Sequence, residues 1–164
     1  MPVQLHAKGY AQRVGSGIEI EHSEDIDWSK GPIELPVVGF AVQIIEFPVR
    51  IWAYGDGAKH IKAFIGGKFV FGQPDGAPLA LDAGADSWGR LAAILVLRDD
   101  RIARATVSQA SLLRVDFESG RFLESSPSPD DPYEQWELVA PGYFIVGTPD
   151  KPAVWTGRAW EQAG

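Results

Sequence analysis

Three runs decide the fold class: Ile102-Ala103-Arg104-Ala105-Thr106-Val107, Leu112-Leu113-Arg114-Val115-Asp116-Phe117 and Arg121-Phe122-Leu123. The first two read as strands, and Glu118-Ser119-Gly120 makes a tight connection into the third. Working outward, the same pattern recurs. Val38, Phe40, Val42 and Ile44 alternate with smaller or polar partners, as a half-buried strand does. Pro48 interrupts, and Val49, Ile51 and Ala53 resume the alternation. Gly55-Asp56-Gly57 reads as a turn, and His60 to Phe64 with Lys68 to Phe71 as a hairpin around Gly66-Gly67. Residues 125–132 are a loop by composition. Tyr133 to Val139, Tyr143 to Val146 and Ala153 to Trp155 then read as short closing strands.

One helix is predicted, from Asp86 to Leu97, with Asp86 and Ser87 as N-cap candidates. Trp88, Leu91, Ala92 and Leu95 would form its apolar face. A buried strand over Ala92 to Leu97 competes with it, and Asp99-Asp100 closes the segment as a turn. Eighteen Gly and twelve Pro cut the 164 residues into short pieces, which favours strands over long helices. The expectation is a single α+β domain, predominantly antiparallel β-sheet packed with one short helix.

Composition narrows the function classes. At 45% hydrophobic and 23% charged, the chain has enough apolar side chain for a core without staples. It contains no cysteine, which excludes disulfides, thiolate nucleophiles and Cys-based zinc sites. The N-terminal residues carry no signal-peptide pattern, and no apolar run approaches the roughly 18 residues of a membrane helix. A cytoplasmic protein is expected. The net charge of −7 disfavours binding to nucleic acid or to an anionic membrane.

That charge is concentrated in two blocks. Residues 19–34 carry Glu19, Glu21, Glu24, Asp25, Asp27 and Glu34 against Lys30. Residues 116–137 carry Asp116, Glu118, Glu124, Asp130, Asp131, Glu134 and Glu137 against Arg121. The plain explanation is two solvated loops that keep the protein soluble. The sharper one is an acidic face that speeds association with a basic partner. Aromatics within such segments are frequent interface anchors, which singles out Trp28 and Trp136, though the plainer reading is that each plugs one edge of the sheet; Trp88 and Trp155 lie in apolar segments and are expected in the core. The candidate partner-binding residues are therefore Glu118, Asp130, Asp131, Tyr133, Glu134 and Trp136, with Glu24, Asp25, Asp27 and Trp28 as a second patch.

Catalytic constellations are lacking. His6, His22 and His60 show no metal-ligand spacing. Val14-Gly15-Ser16-Gly17 lacks the spacing of a nucleophile elbow, and Gly55-Asp56-Gly57 lacks the third glycine of a phosphate loop. No carboxylate pair has a spacing that defines a cleft. The sequence reads as non-enzymatic, with no cofactor and no metal.

Residues 113–123, Leu-Arg-Val-Asp-Phe-Glu-Ser-Gly-Arg-Phe-Leu, are followed by Pro129-Asp130-Asp131-Pro132-Tyr133-Glu134-Gln135-Trp136-Glu137, Pro141-Gly142 and Val154-Trp155. Over residues 90–156 this resembles a bacterial domain-of-unknown-function family, in which a Phe-ended strand, a Gly turn and a second strand precede a Pro-Asp, Tyr-Glu, Trp-Glu stretch. In size and charge the chain is also similar to the immunity proteins encoded beside bacterial polymorphic toxins. That resemblance implies a cytoplasmic partner, the cognate toxin domain, bound through the acidic surface. Two other readings stand beside it: a small-ligand or scaffold-binding domain whose sheet encloses an apolar pocket, and an enzyme using paired carboxylates.

Overall fold

The computed structural model describes residues 4–6, 10–12, 23–128 and 135–157. Its strands are β1 (Gln4–His6), β2 (Tyr10–Gln12), β3 (Ile33–Glu34), β4 (Ala41–Glu46), β5 (Arg50–Tyr54), β6 (His60–Ile65) and β7 (Lys68–Gly72). They continue with β8 (Leu79–Asp82), β9 (Ile102–Val107), β10 (Leu113–Phe117), β11 (Phe122–Ser125), β12 (Trp136–Ala140), β13 (Tyr143–Gly147) and β14 (Ala153–Thr156). A helical segment comprises α1 (Trp88–Leu91) and a 3-10 continuation over Ala92–Leu97. β1 pairs with β2. The other strands form two six-stranded antiparallel sheets, ordered β3-β9-β10-β11-β7-β8 (sheet I) and β14-β13-β12-β6-β5-β4 (sheet II). This is the expected α+β class, dominated by antiparallel sheet.

Alternation sets the two faces of each strand. In β10, Leu113, Val115 and Phe117 turn inward while Arg114 and Asp116 face out. In β12, Trp136, Leu138 and Ala140 turn inward. These residues join Leu91, Ile94 and Leu97 of the helical segment in one buried cluster spanning both sheets. Each fully buried Leu or Ile there contributes roughly 1.5–3 kcal/mol of transfer free energy.

The Gly66-Gly67 step is not a hairpin. β6 lies between β5 and β12 in sheet II, whereas β7 lies between β11 and β8 in sheet I. The two glycines are a corner at which the chain leaves one sheet for the other. Gly66 N donates to Gln135 O, Ala83 N donates to Gly67 O, and a Cβ on Gly67 would stand 2.0 Å from Gln135 Oε1. A second corner joins β3 to β4, and the predicted strand start at Val38 falls on it. Val38 is 69% exposed, and pairing with β5 begins only at Ala41. The register then shifts between Val42 and Ile44, so Val42 points inward and Ile44 is exposed.

The helix forms where expected and excludes the competing strand. Ser87 caps it, its Oγ accepting from Arg90 N at 3.3 Å. Its buried face differs from the expected one. The 3-10 turn repeats every three residues, which puts Leu91, Ile94 and Leu97 on the core side at 0% exposure. Leu95 is left outside, and Trp88, expected in the core, is 68% exposed. Trp155 is buried as expected, tilted against Phe144 at 5.3 Å in a separate cluster with Val146 and Ala153.

Sheet edges are templates for unwanted strand pairing, and this fold covers them with side chains. At β8, Arg90 donates to Ala80 O at 3.0 Å and Asp82 N donates to Asp86 Oδ2 at 2.7 Å. Arg90 and Asp86 also pair with each other at 3.3 Å. At β14, Thr156 N and Oγ1 donate to Glu24 Oε1 at 3.1 and 2.5 Å, and Glu24 N donates to Val154 O.

Candidate interaction surfaces

Of the first acidic block, Glu19 and Glu21 lie outside the described residues, and Glu24 and Asp27 serve the scaffold. Glu24 covers the β14 edge. Asp25 faces Lys151 at 3.8 Å. Asp27 Oδ1 accepts from Ser29 N at 3.2 Å and so caps the 3-10 turn Trp28–Lys30. Trp28 is half-buried against the main core. Of the second block, Asp130, Asp131, Tyr133 and Glu134 lie outside the described residues. Glu118 is exposed in the β10–β11 turn, where its backbone N–H donates to Arg101 O.

Trp136 contradicts the anchor expectation. It is 1% exposed, its Nε1 donates to Ser111 O at 2.8 Å, and a Cβ on Gly147 would stand 2.2 Å from its ring. Its neighbours explain the difference. Trp136, Leu138 and Ala140 recur at every second residue, and that period, rather than the surrounding acids, sets the inward face. Among the described residues, the candidate acids Glu24 and Glu118 do not meet on one surface, whereas Glu34 of the first block shares the outer face of sheet I with Asp116 and Glu124 of the second. Glu24 sits at β14, one edge of sheet II. Glu118 is bonded to Arg101, which bridges to Ala41 of β4, the other edge.

An apolar surface appears instead where the sequence placed core. Five large apolar side chains are exposed among the described residues: Val38, Ile44, Trp88, Leu95 and Val96. All come from two segments held side by side. Asp99 N donates to Val42 O, Val42 N to Asp100 O, Ile102 N to Phe40 O and Gly39 N to Ile102 O, at 2.7–2.9 Å. At the other end, Trp88 stacks on Phe47, just after β4, with ring centroids 6.2 Å apart. The helical segment therefore runs between these two contacts with the β4 segment, and Trp88, Leu95 and Val96 are its exposed large apolar side chains. Exposed apolar side chains gathered this way mark interaction surfaces more often than scattered ones do. The missed signal was the three-residue spacing of Leu91, Ile94 and Leu97, which leaves Leu95 and Val96 outside; Trp88, at the first residue of the helical segment, turns onto Phe47 instead.

The outer faces of the sheets carry two further arrays. On sheet I, Glu34 pairs with Arg104, and Arg114 bonds both Asp116 at 2.8 Å and Glu124 at 2.9 Å. The hydrogen bonds from Arg104 hold the Glu34 carboxyl below its usual range, and those to Asp116 and Glu124 raise Arg114 further. Arg114 also lies 3.7 Å over the Phe122 ring. On sheet II, Trp52, Tyr54 and His60 stack at 5.8–6.4 Å, with Lys62 Nζ 4.8 Å over Trp52. The period-two spacing of Trp52 with Tyr54 and of His60 with Lys62 was the available signal.

A depression of about 640 Å3 lies beside β7, β8 and β11 and contains Asp82, Asp86 and Glu124. Their carboxylates are engaged: Asp82 accepts from Gly84 N, Asp86 serves the β8 edge, and Glu124 pairs with Arg114. Among the described residues, no three His, Asp or Glu converge as a metal site, and no helix is long and apolar enough to cross a membrane. Compared with protein-family models, with curated proteins and with solved structures, the chain has no match.

Proposed function

We propose that this chain acts by binding another protein, as an immunity-type protein that covers a cognate toxin domain. The observation that supports this best is the apolar border between β4 and the helical segment, with Trp88 at its β8 end. An exposed Trp, on the same segment as exposed Leu95 and Val96, is the residue type that dominates interface energetics. The net charge of −7 fits a basic partner and steers its approach. Glu46, Asp99 and Glu118 stand exposed along the same border, with Arg98 and Arg101 as the opposing charges. In this reading Glu118 keeps a contact role, whereas the Glu24–Trp28 segment serves the scaffold.

The test is co-expression with the C-terminal domain of any large secreted protein found to be encoded beside this gene, followed by co-purification and growth rescue; the absence of such a neighbour would also refute the immunity reading. Trp88→Ser should weaken binding by at least about tenfold while the protein stays folded. A complex of undiminished affinity in Trp88→Ser would refute the docking site. Failure to form any complex would refute the immunity reading itself.

A further inference from the structure

The turn between β5 and β6 opens a cavity of about 280 Å3. Gly57, Ala58, Lys59 and His60 line one side, and Val139, Ala140 and Pro141 the other. Its size is at the lower end of the roughly 300–1,000 Å3 typical of ligand pockets, so it suits a small molecule. Three features describe the lining. His60 Nδ1 lies 3.4 Å from Ala58 O, while its Nε2 is buried without a hydrogen-bond partner. Gly57 and Ala58 are held at φ 63° and 65°, the paired left-handed conformation of a tight hairpin turn. Lys59 is exposed and has no ion-pair partner among the described residues.

The lining also selects the chemistry. It has one full-time cation, Lys59, and no carboxylate. The charged neighbours are Asp56, in the same turn, and Lys62, which lies over Trp52. The opposite wall is apolar. One cation facing an apolar wall suits a monoanion with an apolar body. We infer that this cavity binds a small organic carboxylate, its apolar part against Val139, Ala140 and Pro141 and its carboxylate toward Lys59 and His60. The inference is independent of the protein-partner reading.

Titration of the folded protein with benzoate, followed by amide chemical shifts, tests it, with benzyl alcohol and inorganic phosphate as parallel titrants. Benzoate should saturate at or below about 10 mM, with the shifts concentrated at residues 57–60 and 139–141. Benzyl alcohol and phosphate should bind at least about fivefold more weakly, and Lys59→Gln should weaken benzoate by a similar factor. His60→Phe, which keeps a ring in the stack, should also lower affinity. Absence of saturation, shifts scattered elsewhere or an unaffected Lys59→Gln variant would overturn the site. Equal or tighter phosphate binding would overturn the carboxylate assignment.

Discussion

Replacing Trp136 by Phe separates a core tryptophan from an interface anchor. The indole Nε1 donates to Ser111 O at 2.8 Å, and Ser111 is itself 0% exposed. Phe removes the donor and leaves a buried carbonyl unpaired, which costs about 1–3 kcal/mol. The smaller ring also vacates space beside Gly147. With a cavity of roughly 40 Å3 at about 24 cal/mol per Å3, this adds ~1 kcal/mol. The expected loss is therefore about 2–4 kcal/mol, a large share of the stability of a typical domain. Urea unfolding followed by far-ultraviolet circular dichroism measures it without interference from the other five tryptophans. The same bond ties β12 of sheet II to the β9–β10 turn of sheet I, so amides 108–112 should exchange faster with solvent in the variant. A loss under about 0.5 kcal/mol with unchanged exchange would mean that Trp136 is not held as described, and the anchor reading would return.

Other consequences are open to the same methods. Gly147→Ala forces a methyl into the Trp136 ring and should destabilise by about 1–3 kcal/mol, whereas Gly57→Ala, which meets open space, should show only the cost of its positive φ. Arg90→Ala uncovers the β8 edge; a stability loss of about 1 kcal/mol should accompany a rise in light scattering at high concentration. Glu24→Ala should cost about 1–2 kcal/mol by releasing Thr156, without reducing toxin-domain affinity by more than about twofold. For Glu34, whose folded carboxyl titrates below its ordinary value, the contribution is complete above the unfolded pKa of 4.5 and fades as pH falls through the folded one. The pair is solvent-exposed, so Glu34→Gln should cost no more than about 1 kcal/mol at neutral pH and nothing measurable in strong acid.

Local pattern was enough for most strands. The alternation of Val49, Ile51 and Ala53, and of Leu113, Val115 and Phe117, marks inward faces that no neighbour overrides. The tight turn at Glu118-Ser119-Gly120 and the cap at Ser87 are equally local, because their hydrogen bonds close within a few residues. The two tryptophan expectations failed for one shared reason. Each was judged by the composition around it, whereas burial follows from which face an element turns to the core. Trp136 shares a strand face with Leu138 and Ala140, and Trp88 stands at the first residue of the helical segment, where its ring stacks on Phe47 outside the core.

The sequence by itself determined the α+β class, the dominance of antiparallel strands, the helical segment and most inward faces. These depend on periodicity and short-range caps. Only the tertiary structure decided that Gly66-Gly67 is a corner between sheets, since two glycines permit a hairpin turn and a sharp bend equally well. It also placed Glu24 at the β14 edge of sheet II and Glu118 in the β10–β11 turn of sheet I. And it set the helical segment between its two contacts with the β4 segment, leaving Trp88 in water. Strand order and edge pairing are set by contacts between residues far apart in the chain, and a local pattern carries no record of which partner each strand will meet.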